Sequence, residues 1–263
     1  MPEAGSRLTS VSAAAREEGR HETPGESIYA SRSVNMYDKN DRTKPVFGLV
    51  VHTTGGGAPN AAKKERISVL EWCVARYERT YGCHYVNGYD GVDGDLIQVG
   101  NEYEKPHTVG MKEQNASIRA GTWKTDISKK TLKHWRAHWP TRANPLKLFP
   151  GSSANNVYVG MECPPCVWWD RKLKRTVSSP KPMRPGLRFT EAQHDAVVLL
   201  SIDLAERHNW PDGWWLLPRL VGHEDLSPIV RSTKTGGWDP GFLRDRPYFD
   251  WDYVKVEIET VVG

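Results

Sequence analysis

The sequence has no long apolar run. No segment approaches the roughly 18 consecutive apolar residues that a membrane-spanning helix needs, and the N-terminus lacks the apolar core of a signal peptide. We therefore expect a protein with no membrane span. Such a protein reaches an extracellular target by another route, such as cell lysis or assembly into a particle.

Cysteine is also scarce. Four cysteines among 263 residues are too few for a disulfide framework in a chain of this length. Cys163 and Cys166 have the spacing of a redox or metal pair, but they follow an apolar, strand-like segment, and the sequence has no second pair of this kind. These features favour a structural or incidental role for the pair over a functional one.

Large apolar residues are rare in residues 1–45, which are rich in Ser, Glu, Arg and Gly. Such a composition is typical of an extended or disordered segment, since it offers little surface to bury. The remaining residues, 46–263, are enough for one sizeable core. We therefore predict a polar N-terminal arm followed by a single domain.

Positive charge is concentrated in two segments, 124–147 and 170–188. Each holds seven Lys and Arg against one Asp, a net charge of 7 − 1 = +6, whereas the whole chain has a net charge of +4. Such segments attract acidic polymers or assembly partners, or they are simply solvated surfaces. We do not expect a nucleic-acid partner, because no recognition motif accompanies the charge.

The pattern of apolar residues predicts an α/β fold, with a mixed central sheet flanked by helices. A capping box at 190–193 marks the start of one helix, and a Gly- and Asp-rich turn at 90–94 predicts a hairpin. Little periodicity is present in about 111–154 and 167–188, which we interpret as insertions. The predicted strands are 46–52, 84–86, 95–99, 157–162 and 216–221, and the predicted helices are about 65–80, 191–208 and 251–261.

Three side chains have the pattern of a metal site. His52 ends an apolar strand just before three glycines, and His223 and Asp239 lie 16 positions apart in a segment rich in Gly and Pro. Two histidines and one carboxylate leave a fourth position open, which is the arrangement of a catalytic zinc ion. Each residue alone also has a plain explanation: a strand-end histidine is often just a satisfied polar residue, and Asp-Pro-Gly often forms a turn.

From about Val46 to Glu259 the sequence resembles the zinc-dependent N-acetylmuramoyl-L-alanine amidases. This type 2 family also includes phage amidases and peptidoglycan recognition proteins. No single motif is decisive, but the order and spacing of the motifs are specific. They lie at 50–54 (Val-Val-His-Thr-Thr), 84–91, 107–110, 159–162 (Val-Gly-Met-Glu), 190–193, 222–228 (Gly-His-Glu-Asp-Leu-Ser-Pro) and 239–241 (Asp-Pro-Gly).

The resemblance implies that His52, His223 and Asp239 bind zinc. Some members of the family use a Tyr as the catalytic base and others a Glu. Because Cys83 stands at the Tyr position, the resemblance implies Glu162 as the base.

Members with an Asp ligand usually have a Lys two positions before it, which stabilises the oxyanion. Here that position is Gly237. We therefore assign this catalytic role to Lys234, with Arg231 or a neutral His107 as alternatives. We expect His84, His107 and Arg231 to contact the substrate.

The implied function is hydrolysis of the amide between N-acetylmuramic acid and L-alanine of peptidoglycan, with zinc as the cofactor. We expect a phage endolysin, or a wall-piercing part of a phage tail or injection device. It would act from a particle, or from the host cytoplasm before its release to the cell wall. The alternatives are a peptidoglycan-binding module without activity and a structural part of a tail-like assembly. The presence of all three ligands favours the enzyme.

Overall fold

The structure is a computed structural model, and it describes the regions of the chain that form the sheet and its surroundings. The described residues are 45–53, 83–87, 96–98, 102–103, 109, 116–117, 119–129, 132–133, 154–163, 165, 167–170, 175–178, 189–231, 239–240 and 249–263.

The described part of the chain contains seven strands, five α-helices and two 3-10 turns. The strands are β1 (Gly48–Thr53), β2 (Tyr85–Asn87), β3 (Leu96–Gln98), β4 (Tyr158–Cys163), β5 (Val167–Asp170), β6 (Arg175–Ser178) and β7 (Leu220–Gly222). The α-helices are α1 (Trp123–Asp126), α2 (Glu191–Arg207), α3 (His223–Leu226), α4 (Pro228–Arg231) and α5 (Trp251–Val262). Two 3-10 turns cover Ala154–Asn156 and Trp214–Leu216.

The main sheet has five described strands in the order β3-β2-β4-β1-β7. Strands β2, β4, β1 and β7 run parallel, and β3 pairs antiparallel with β2 at one edge. A separate two-stranded antiparallel sheet is formed by β5 and β6. The predicted α/β architecture with a mixed central sheet is therefore confirmed.

Strand β1 lies at the centre of the parallel strands, and all six of its residues are buried. A parallel strand that is covered on both faces is expected to be apolar at almost every position, as Leu49, Val50 and Val51 are. The strand also approaches β7 closely at Gly48, where an added Cβ would lie 2.3 Å from the carbonyl oxygen of Arg219. This position therefore has no room for a side chain.

Helix α2 begins with the predicted capping box. The Thr190 hydroxyl accepts a hydrogen bond from the Gln193 backbone, and the Gln193 side chain accepts one from the Thr190 backbone. Helix α2 packs against α5. His194 joins the two helices, because its Nδ1 lies 2.6 Å from the Thr190 carbonyl and its Nε2 accepts from the backbone N–H of Asp250.

A network of polar side chains, from β2 and the end of α2, surrounds the buried carboxylate of Glu102. The Glu102 carboxylate accepts two hydrogen bonds from the Arg207 guanidinium, at 2.6 and 2.8 Å, and a third from the Tyr85 hydroxyl. His208 Nε2 lies 2.9 Å from the same carboxylate. Burial alone would raise the pKa of Glu102, but the bonds from His208 and Arg207 hold it well below its usual range. We call these four residues the Glu102 network.

One predicted strand differs from the structure. The segment predicted as a strand at 216–221 is extended only from Leu220, and residues 214–216 form a 3-10 turn. Pro218 explains the difference, because it has no backbone N–H to donate to β1, the neighbour of β7 in the sheet. Leu216 is 65% exposed, so its apolar side chain is not a core position.

Several predictions concern residues outside the described part of the chain. They are the polar arm up to residue 44, the helix at 65–80, the turn at 90–94, Cys166 and most of the two insertions. Among the helices that the structure describes, none has the length and apolar character needed to cross a membrane.

Candidate metal centre

Three chain segments bring His52, His223 and Asp239 together at the carboxyl end of the sheet. His52 is the next-to-last residue of β1, and His223 directly follows β7, the parallel neighbour of β1. Because parallel strands end at the same edge, the two imidazoles meet there, with ring centroids 4.7 Å apart. Asp239 lies against both, and one potential ligand atom from each residue lies within 4.8 Å of the others. We call these three residues the ligand cluster.

The two carboxylate oxygens of Asp239 have different neighbours. Oδ1 accepts a hydrogen bond of 2.6 Å from the backbone N–H of Thr53, the last residue of β1. Oδ2 lies 2.8 Å from His223 Nδ1 and 3.6 Å from His52 Nδ1. The sheet therefore fixes one oxygen and turns the other toward the histidines.

The Arg231 guanidinium shows where a cation fits. Its Nη2 lies 2.7 Å from His223 Nδ1 and 2.9 Å from Asp239 Oδ2. Burial lowers the pKa of His223 to about 4, so its ring is neutral at neutral pH. A guanidinium can only donate, which makes Nδ1 an acceptor. Two acceptor atoms therefore point at one positively charged group.

The charge on Asp239 is stabilised by this arrangement. Burial alone would raise the pKa of Asp239, but the Arg231 guanidinium beside Oδ2 holds it well below its usual range. Asp239 is therefore an anion at neutral pH although its residue is only 4% exposed. A buried carboxylate beside a neutral imidazole is a suitable donor set for a divalent metal ion.

The spacing of the ligand cluster also fits a metal ion. A tetrahedral ion with bonds of about 2.0–2.2 Å would hold its ligand atoms roughly 3.3–3.6 Å apart. The separations of Asp239 Oδ2 from the two Nδ1 atoms, 2.8 and 3.6 Å, bracket that range. His52 Nε2 is buried and has no hydrogen-bond partner among the described residues. The ligand cluster can therefore hold a metal ion.

Glu162 lies directly beside His52 in the sheet. It is the partner of His52 in the parallel pairing of β4 with β1, and both residues are buried. Residues paired in this way point to the same face of a sheet. The predicted base is thus on the same face as the first predicted ligand, one strand away.

Of the other predicted site residues, the structure describes Arg231 and His84. Arg231 contacts two members of the ligand cluster. His84 is fully buried, and its Nδ1 accepts from the Gly160 N–H, so its substrate contact stays a prediction. His107 and Lys234 lie outside the described residues.

Glu224 belongs to the site although the sequence did not single it out. Its Oε2 accepts a hydrogen bond of 2.8 Å from the backbone N–H of Asp239. Burial and the nearby Asp225 and Asp239 raise the pKa of Glu224 well above its usual value. Its position next to His223 was the only sequence signal, and a charged residue next to a ligand is usually just exposed to solvent.

Neither a scan against models of protein families nor a search of curated proteins finds a match to this chain. Several solved structures are similar, and two of them are as follows. One is the endolysin N-acetylmuramoyl-L-alanine amidase LysCS from Clostridium intestinale, with 12% identity, a TM-score of 0.36, and coverage of 84% of this chain and 91% of that one. The other is AmpDh3 from Pseudomonas aeruginosa in complex with anhydromuramic pentapeptide, with 16% identity, a TM-score of 0.41, and coverage of 86% and 66%. These scores are too low to assign a reaction to this chain.

Proposed function

We propose that this chain is a zinc-dependent amidase that cuts peptidoglycan between N-acetylmuramic acid and L-alanine. The observation that carries the proposal is the convergence of His52, His223 and Asp239 on one position, with Glu162 beside His52. The order of the sequence motifs from 50 to 241 supports the substrate, since it is the order found in the amidase family. A phage endolysin or tail-associated enzyme agrees with the polar segment 1–45 and the two basic segments.

Each of these residues has its own role in the proposed amide hydrolysis. His52, His223 and Asp239 would hold the ion and leave a ligand position for water or substrate. When bound, zinc supplies an activated water and polarises the scissile carbonyl. Glu162 accepts the proton of the attacking water and later delivers it to the departing nitrogen, which would otherwise be a poor leaving group.

Arg231 supplies positive charge beside the ligand cluster. Negative charge develops on the carbonyl oxygen during attack, and a fixed cation nearby lowers the energy of that state. Arg231 is the described cation in contact with Asp239 and His223. Lys234, to which we assigned this role from the sequence, lies outside the described residues, and its role stays a prediction.

The test combines metal analysis with digestion of purified peptidoglycan. We expect about one zinc ion per chain, and new L-alanine amino termini by mass spectrometry. Glu162→Gln should keep the zinc and the fold but lose roughly 10²–10⁴-fold in rate, the range of a general acid–base. The control is Glu259→Gln, which changes an exposed carboxylate of α5.

Two results would overturn the proposal. One is a purified chain that binds no zinc and still digests the wall. The other is a digest with new reducing sugar ends and no new amino termini, because this would mean cleavage of the glycan. A full rate in Glu162→Gln would remove only the role assigned to Glu162.

A further inference from the structure

Two hydrogen bonds tie Glu224 to Asp239 in opposite directions. The Asp239 N–H donates to Glu224 Oε2 at 2.8 Å, and the Glu224 N–H donates to the Asp239 carbonyl at 3.3 Å. Glu224 belongs to α3 and is 2% exposed. The pair thus joins the segment that carries the third ligand to the helix that carries the second.

The end of β7 is shaped around this pair. A Cβ on Gly222 would lie 3.1 Å from Pro240 Cδ and 3.2 Å from Glu224 Cδ. Both distances are closer than ordinary van der Waals contact, so a side chain at residue 222 would push against both partners. The glycine therefore leaves space for the Glu224 carboxyl group and for the residue that follows Asp239.

The burial of the Glu224 carboxyl group is energetically unfavourable, which indicates that its hydrogen bond with the Asp239 N–H serves a function. Glu224 Oε1 is buried and has no hydrogen-bond partner in the described part of the chain. A buried polar atom without a partner destabilises a fold. Asp225, the next residue, shows the ordinary structural use of a carboxylate here, since its Oδ2 accepts from the Gly222 N–H at the start of α3.

We infer that Glu224 is a positioning residue, which fixes the backbone of Asp239 so that Oδ2 faces His52 and His223. Asp239 is then held at three atoms: Thr53 fixes Oδ1, the Glu224 side chain fixes the N–H, and the Glu224 backbone fixes the carbonyl. Groups of this kind, which orient a ligand without touching the metal, typically contribute 10–100-fold to metal affinity. The inference rests on the proposed function only in taking Asp239 as a metal ligand.

Variants of Glu224 in the full chain test the inference. Glu224→Leu removes the acceptor at similar size, whereas Glu224→Gln keeps an oxygen that can accept. If Glu224→Leu does not fold, Glu224→Asp is used in its place. The shorter side chain of Asp moves the accepting oxygen away from the Asp239 N–H. Asp225→Asn is the control for a neighbouring buried carboxylate. Two quantities are measured: the exchange rate of the Asp239 amide in metal-free protein, and zinc affinity by competition with a chelator.

We expect the Asp239 amide of Glu224→Leu to exchange at least about tenfold faster, and its zinc affinity to fall about 10–100-fold. Glu224→Gln and Asp225→Asn should stay within about threefold of the wild type for both quantities. Unchanged exchange in Glu224→Leu would show that the bond does not hold Asp239. Faster exchange with unchanged zinc affinity would overturn the positioning role.

The exchange measurement separates this inference from the proposed function. If the wild type binds no zinc, the proposed function fails. In that case fast exchange in Glu224→Leu with rescue in Glu224→Gln would support the fixing of Asp239, and equal rates in all variants would overturn it.

Discussion

The Glu102 network and the ligand cluster are both groups of charged and polar side chains around a buried carboxylate, but their donors and acceptors are matched differently. In the Glu102 network, Tyr85, Arg207 and His208 surround a single carboxylate. In the ligand cluster, a neutral imidazole nitrogen and a carboxylate oxygen share one guanidinium nitrogen, and His52 Nε2 has no partner among the described residues.

This difference in matching distinguishes a structural network from a candidate metal-binding site. A buried ion pair that is fully hydrogen-bonded needs nothing from outside the chain, and removing one partner leaves a costly buried charge. A cluster with an excess of acceptors gains from an added cation. Changes to the first group should therefore act on stability, and changes to the second on metal binding.

The largest expected effect comes from Asp239→Asn. The amide keeps an oxygen that can accept from Thr53 but loses the negative charge that attracts the ion. Zinc binding should weaken by roughly 10²-fold or more, beyond the range of residues that only orient ligands. Chelator competition measures the affinity, and peptidoglycan digestion should fall with it.

Asp203→Asn is the matched control for this charge change. Asp203 forms an i,i+4 pair with Arg207 on α2, away from the ligand cluster. Its loss should cost about 0.3–0.5 kcal/mol of stability and leave zinc affinity unchanged. Equal zinc affinities for Asp239→Asn and the wild type would remove Asp239 from the ligands.

The second largest effect is on stability. Glu102→Gln should lower the free energy of unfolding by about 1–3 kcal/mol, because the partly buried guanidinium of Arg207 loses one of its two described carboxylate partners and keeps Asp203. Denaturant unfolding of metal-free protein measures this change. Folded Glu102→Gln protein should bind zinc like the wild type, and a specific loss of zinc affinity would contradict the division between the two groups.

The Glu102 network also predicts a pH dependence. The pKa of Glu102 is lower in the folded chain than in the unfolded chain, so the unfolded state binds a proton first as the pH falls. Its stabilising contribution is complete above the unfolded value of about 4.3 and is lost progressively below it. Unfolding measured between pH 6 and pH 3 should show a shallower loss of stability in Glu102→Gln than in the wild type. Parallel curves would mean that other carboxylates control acid unfolding.

The smallest effect concerns Arg231. Its guanidinium and a metal ion compete for His223 Nδ1 and Asp239 Oδ2, so Arg231→Gln should raise zinc affinity several-fold. Hydrolysis should nevertheless slow, because the positive charge beside the carbonyl oxygen is lost. Weaker zinc binding in Arg231→Gln would show that the guanidinium supports the ligands and does not compete with the ion.

Local signals in the sequence were enough to predict much of the fold. The capping box at Thr190 and Gln193 marked the start of α2, because both partners lie within one turn. The apolar run before His52 marked β1, since a central parallel strand is buried on both faces. The three members of the ligand cluster were found from strand ends and motif order.

Contacts between distant segments could not be predicted from the sequence. Glu102 and Arg207 are 105 positions apart, and neither has a pattern that indicates the other. Glu224 contacts Asp239 through a backbone N–H, which every residue except proline carries, so the pairing has no sequence signature. The start of β7 was predicted four residues too early, because Leu216 and Leu217 extended an apolar pattern across Pro218.

The central position of β1 has a consequence for the order in which the protein can be completed during synthesis. Its neighbours β4 and β7 lie far downstream, and two of the three members of the ligand cluster follow β7. A nascent chain therefore carries β1 without either partner until most of the polypeptide has left the ribosome. Folding that depends on such distant pairings is slow. A chain released before residue 223 would hold only His52 and could not assemble the centre, so hydrolysis would be limited to chains synthesised beyond Asp239.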